Sequence, residues 1–279
     1  MVAVRAEVHA PLEYRDVRLN PDHAGRRILV TGGAGGIGKA VAETLVSQGA
    51  TVVLTDVREA ALEQAVSCFE ADKSRVFSLA MDVSNPQSIA DGVASAEEKL
   101  GAIDGLVNNA GVFRSFGTLD ATWGDWEKMF AVNVFGAFET ARLVAKSMIA
   151  KGVKGSIVNL ASEAGKKGYS DSIAYSASKA TVISFTRTLA IGLAKSDINV
   201  NCVCPCGTDT PMLREVAVSI SQKGSGDSVD DVYDRLISSQ FQRHIRPVEV
   251  ARVISFLLSD SAVLIRGQAV NIDGGDTPY

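Results

Sequence analysis

Seven short runs rich in β-branched and other apolar residues recur along the chain, separated by longer stretches with helical patterning. They are RRILV at 26–30, TVVLT at 51–55, RVFSLAM at 75–81, IDGLV at 103–107, SIVNLA at 156–161, INVNCV at 198–203 and QAVNI at 268–272. Strands that are apolar on both faces must be covered on both sides, and helices of about 12 to 25 residues lie between these runs to do it. The pattern predicts an α/β fold with a doubly wound parallel sheet. Right-handed crossovers then bring every strand C-terminus to one edge, where ligands bind. The chemistry is expected just after the strands.

With 279 residues and 46% apolar content, the chain can bury a core as one large domain or two small ones. A net charge of -4 gives no basic field for nucleic acid. No apolar stretch reaches membrane-spanning length, and MVAVRAEVHAPLEYRD lacks the apolar core of a secretion signal. A soluble cytoplasmic protein is expected.

The first run is followed by TGGAGGIGKA, Thr31 to Ala40, which leads into a helix. Glycines there let the backbone turn tightly and approach a pyrophosphate, whose charge meets free N–H groups at the helix start. Asp56 follows the second run at the spacing of a carboxylate that binds an adenosine ribose. A carboxylate there repels a 2'-phosphate, and Arg58 is the only nearby cation, so NAD is expected over NADP. The alternative role for Asp56 is a cap on the next helix.

Asp82 and Val83 follow the third run, and NNAG, Asn108 to Gly111, follows the fourth. Asn133 lies in FAVNVFGAF among apolar neighbours, where an amide needs partners or packs between helices. Tyr175 stands four residues before Lys179, so on a helix the ammonium lies beside the phenol. That pair is a candidate base, or an exposed pair of no chemical consequence. Cys202, Cys204 and Cys206 alternate along an extended run and do not converge as metal ligands do, so buried, reduced thiols are expected and no metal. His9, His23 and His244 are too scattered to suggest a triad.

In combination these residues resemble the short-chain dehydrogenase/reductase family, in its single-domain branch, from about Gly25 to Gly275. TGGAGGIG fits the family's Thr-Gly-x3-Gly-x-Gly turn, NNAG fits its fourth-strand motif, and Asn133, Ser162, Tyr175 and Lys179 fit its catalytic tetrad in order. The resemblance implies one Rossmann-type domain over 25–279, strand order 3-2-1-4-5-6-7, behind an N-terminal arm at 1–24. Tyr175 is then the acid/base for an alcohol that exchanges a hydride with the nicotinamide. An unperturbed phenol titrates near 10, and lowering it by about two units requires roughly 2.7 kcal/mol, within reach of Lys179 and the oxidised ring. Lys179 would also hold the nicotinamide ribose, Ser162 the reacting oxygen, and Asn133 a water that relays protons.

The resemblance also assigns cofactor contacts to Gly32, Gly35, Gly36, Ile37, Gly38, Asp82, Val83, Asn109, Ala110, Gly111 and Pro205. One departure is Cys206, where the family usually has Gly after Pro; the carboxamide contacts are then expected near Thr208 and Thr210. Residues 211–246 form a substrate lid, or else an oligomer contact, with KGSGDS at 223–228 as a flexible break. Glu163, in LASEAGKKG, resembles the matching stretch of polyol and diol dehydrogenases and is expected to read a second substrate hydroxyl. Phe113, Phe116 and Trp123 line an apolar pocket instead, or are core. The helices bearing Asn133 and Tyr175 form the family's usual dimer faces, and a homotetramer is expected. An NAD-dependent dehydrogenase of secondary alcohols leads; the alternatives are a carbonyl or 3-oxoacyl reductase and a non-catalytic nucleotide-binding scaffold.

Overall fold

The computed structural model describes residues 22–222, 227–238 and 240–277. The arm up to residue 21 and residues 223–226 of the expected break lie outside the described residues.

Seven strands form one parallel sheet: β1 (Arg27–Thr31), β2 (Thr51–Asp56), β3 (Val76–Ala80), β4 (Gly105–Asn108), β5 (Gly155–Leu160), β6 (Ile198–Pro205) and β7 (Ala269–Ile272). Their order is β3-β2-β1-β4-β5-β6-β7, as expected. Register is set residue by residue, for example Leu29 beside Val53 on one side and Leu106 on the other.

Alternation along the strands divides the core in two. Ile28, Val30, Val52, Leu54, Val158 and Val203 face α1 (Gly36–Ser47), α2 (Glu59–Ser67) and α9 (Pro247–Leu258). Leu29, Val53, Leu106, Ile157 and Val200 face α3 (Pro86–Leu100), α5 (Ala137–Ala150) and α6 (Ile173–Leu193). Each fully buried Leu or Ile contributes about 1.5–3 kcal/mol.

Local chemistry sets the helix ends. Asn85 accepts from the N–H groups of Gln87 and Ser88 at the start of α3, with Pro86 in its first turn, and Gly101 at φ 77 ends the helix. The nine-residue α2 is shorter than the helices the sequence suggested. The long helix expected around Asn133 is also divided. After α4 (Trp123–Phe130), residues Ala131–Gly136 form a π-helical turn before α5. A Cβ on Gly136 would come within van der Waals overlap of the Val83 carbonyl, so only glycine lets this turn lie against the end of β3.

Beyond β6, α7 (Pro211–Ser221) packs with α8 (Val229–Arg235) over the carboxyl edge. No helix among the described residues is long and apolar enough to cross a membrane.

Candidate active site

Two loops and one helix meet at the carboxyl edge. After β1, Gly32 adopts φ 64 and Gly36 φ 54, conformations that disfavour side chains. A Cβ on Gly32 would stand 2.8 Å from the Ala110 Cα, and one on Gly38 would collide with the Gly32 carbonyl oxygen. The loop therefore packs backbone against backbone. Thr31 Oγ1 accepts from the N–H groups of Asn109 and Ala110, and the Asn109 amide donates to the Thr31 and Gly32 carbonyls. Gly35 differs from its neighbours: its backbone is extended and a Cβ there would meet nothing within 4 Å. It precedes α1 without a side-chain cap, so this helix start carries no competing acceptor of its own.

Asp56, at the end of β2, is buried. Its carboxylate accepts from the Ala34 N–H at 3.2 Å and from the Arg58 Nε at 3.1 Å. Burial works against the charge, but the hydrogen bonds from Arg58 hold the carboxyl below its usual range. The glycine loop, the uncapped α1 and this carboxylate fit a dinucleotide. Asp82 caps the turn after β3, accepting from Ser84, and lies with Val83 outside the cavity described next.

That cavity, about 420 Å³, brings together Ile37, Asn109, Gly111, Ser162, Glu163, Tyr175, Lys179, Pro205, Thr208 and Thr210. Ser162 lies just past β5, its Oγ accepting from the Ala164 N–H. Tyr175 and Lys179 project from the first turns of α6, and the Lys179 Nζ stands 5.6 Å from the Tyr175 ring centroid. It donates to the Leu160 carbonyl at 2.8 Å. Burial lowers Lys179 to about 8. Burial pushes Tyr175 up to about 12, the Ser162 hydroxyl opposes the rise, and the Glu163 charge adds to it.

Asn133 is 1% exposed and fully engaged. Its oxygen accepts from the Val112 N–H, and its amide donates to the Val112 carbonyl and the Ser178 Oγ. It ties the loop after β4 to α6, and Gly111 leaves the small gap between its oxygen and the Lys179 ammonium.

Glu163 lines the cavity together with two neighbours, Tyr169 donating to one of its oxygens at 2.6 Å and Lys167 standing 2.9 Å from the other. Trp123 is 80% exposed, neither core nor cavity wall, because it opens α4 on the surface. Phe113 does line the cavity, edge-on to Tyr175 at 5.0 Å, whereas Phe116 lines a separate recess. The thiols divide as well: Cys202 and Cys204 are buried, Cys68 is exposed and accepts from Lys39, and Cys206 lines the cavity. Its backbone is not left-handed, so the turn after β6 admits a side chain. Burial pushes its thiol up to about 12.

Sequence reasoning missed Lys167 and Tyr169. The four-residue spacing of Glu163 and Lys167 was the available signal. It also missed the polar ladder Asn108–Asn159–Thr186, which spans the sheet beneath the site.

A glycine-rich turn, a buried carboxylate at the end of β2 and a Ser-Tyr-Lys cluster at one sheet edge are the architecture of a nicotinamide-dependent oxidoreductase. Residues 26–219 match the short chain dehydrogenase family, and the chain belongs to it. It is 34% identical over 252 residues, 90% of this chain and 96% of the other, to 2-(S)-hydroxypropyl-CoM dehydrogenase 3 of Xanthobacter autotrophicus. Its fold is similar to NAD+-bound xylitol dehydrogenase, with TM-score 0.85 and 31% identity, covering 91% of this chain and 98% of that one. It is as similar to a variant of actinorhodin polyketide ketoreductase with NADPH, with TM-score 0.85, 31% identity and the same coverage.

Proposed function

We propose that the chain is an NAD-dependent dehydrogenase of secondary alcohols, polyols or diols among them. The observation that carries this reading is the meeting of Ser162, Tyr175 and Lys179 in one cavity that also includes the glycine-loop residue Ile37. Gly32, Gly35, Gly36, Ile37 and Gly38 would hold the pyrophosphate, Asp56 the adenosine ribose, and Asp82 and Val83 the adenine end. Asn109, Ala110, Gly111, Pro205, Thr208 and Thr210 would flank the nicotinamide riboside. When bound, the nicotinamide supplies the hydride acceptor or donor. Ser162 Oγ would hydrogen-bond the substrate oxygen, and Tyr175 would take that oxygen's proton as the phenolate during oxidation or return it as the phenol during reduction. Lys179 would orient the ribose and, charged, favour the phenolate; Asn133, its side chain engaged by Val112 and Ser178, would seat a proton-relaying water through its main chain. Burial raises the Tyr175 phenol, so a cation held beside it would favour the phenolate.

Support for NAD comes from the buried Asp56 carboxylate, whose charge opposes a 2'-phosphate and occupies Arg58. A carbonyl reductase using NADPH is the second reading, favoured by the likeness to the ketoreductase. The domain spans 25–279 behind an arm, and 211–246 acts as a lid. Met212, Leu213, Val216 and Ile220 of α7 and Leu236 beyond α8 line the cavity in support of that. We read the chain as a cytoplasmic homotetramer; free cysteines and the exposed Phe135 and Phe138 beside Asn133 support this.

Initial rates with a panel of polyols, diols, cyclic alcohols and hydroxy acids, each with NAD+ and NADP+, test the proposal. Tyr175→Phe should lower kcat by about 10³-fold with cofactor affinity retained. Undiminished turnover overturns the mechanism.

A further inference from the structure

Glu163 follows Ser162 directly and begins a tight turn whose carbonyl accepts from the N–H groups of Lys166 and Lys167. The turn returns the Lys167 side chain to the Glu163 carboxylate, at 2.9 Å, while the Tyr169 hydroxyl takes its other oxygen at 2.6 Å. The Lys167 Nζ also lies 5.4 Å from the Tyr169 ring centroid. All three residues line the cavity that contains Ser162 and Tyr175. With the Tyr169 hydroxyl on one oxygen and the Lys167 ammonium beside the other, Glu163 fixes where Lys167 stands.

An ammonium has three N–H groups. Glu163 and Tyr169 face two of them at most, which leaves one for a ligand. Burial works against the charge of this lysine, but Glu163 and Tyr169 more than offset it and hold the group above its ordinary value, so it stays cationic. Its charge is therefore matched before any substrate enters. Asp171 and Asp276 line the same cavity and its Arg235 is paired with Asp227, so a substrate carboxylate would meet like charge without a free counter-ion in Lys167.

Resting on the dehydrogenase reading, we propose that Lys167, positioned by Glu163 and Tyr169, donates to a second oxygen of the substrate, which is a neutral diol, polyol or hydroxyketone.

The test compares kcat/KM for 2,3-butanediol, 2-butanol and 3-hydroxybutyrate in the wild type, Lys167→Met, Lys167→Arg and Tyr169→Phe. In Lys167→Met the ratio of diol to mono-alcohol should fall about tenfold, equivalent to about 1.4 kcal/mol, through KM and with kcat for the diol little changed. Lys167→Arg should recover most of the ratio, Tyr169→Phe should lower it about threefold, and 3-hydroxybutyrate should be the poorest substrate of the wild type. An unchanged ratio in Lys167→Met, an equal fall for both alcohols, or a preference for 3-hydroxybutyrate overturns the assignment. If thermal melting shows that Lys167→Met does not fold, Lys167→Gln is read by the same ratio. A wild type that oxidises none of the three with NAD+ or NADP+ overturns the dehydrogenase reading and this assignment together. A wild type active on 2-butanol with a flat ratio across the variants sinks only the role of Lys167.

Discussion

The loop after β1 and the loop after β5 both lie on the carboxyl edge of the sheet, yet they are held in place by different means. In the first, main chain packs on main chain: Gly32 against Ala110, and Gly38 against the Gly32 carbonyl. In the second, side chains hold one another, with Glu163 between Lys167 and Tyr169. The first arrangement leaves no room for an added methyl group. The second has one such contact, Gly165 against the Lys179 and Ala180 main chain, but Glu163, Lys167 and Tyr169 give it a cavity wall made of side chains. A nicotinamide dinucleotide bound by relatives that are named for different substrates suits these two modes of construction.

The sharpest way to break that contrast is to add one carbon on the rigid side. Gly38→Ala forces the loop to move and should weaken NAD+ binding by 100-fold or more, or prevent folding, as isothermal titration and thermal melting would show. Gly35→Ala, three residues earlier with open space around it, should change binding less than threefold. Equal effects from the two would dissolve the distinction.

A smaller effect concerns the helix layer behind the first loop. His23 is fully buried, and its Nε2 lies 3.2 Å from the Ser255 carbonyl and 3.1 Å from the Ser255 Oγ. Burial, reinforced by Arg26, holds the imidazole below its ordinary value of 6.5, against weaker pulls from Asp22 and Asp104. A depressed histidine favours the folded state while neutral, so its contribution is present above pH 6.5 and lost as pH falls below it. Tm should decline through that window in the wild type and decline less in His23→Gln. Identical pH profiles would remove His23 from the account.

The smallest change is expected at the turn after β6. Cys206→Gly should retain or modestly improve NAD+ affinity, because the backbone there already suits a side chain. A loss beyond tenfold would give the thiol a role in the site.

These contrasts also explain what the sequence made legible. Strand positions, sheet order and the glycine loop could be read because hydrophobic period and glycine's unique backbone freedom act locally. The tetrad was legible for another reason, its fixed spacing in a resembled family. The Glu163–Lys167–Tyr169 cluster was not, since it depends on how a turn brings three exposed residue types together. The raised Tyr175 escaped because desolvation is a property of the assembled cavity. Trp123 misled because an aromatic in an otherwise apolar reading was weighed without its position at a helix start.

The π-helical turn at 131–136 has one consequence of its own. In a helix each residue advances the face by about 100°, so the wide turn sets α4 and α5 out of phase, and each meets its neighbours at its own angle. A deletion of one residue there would leave both flanking hydrophobic stripes intact on paper and restore a single uninterrupted rod. The amide of Asn133 would then swing away from Val112 and Ser178. For this chain, a length change inside a helix is a change of aim.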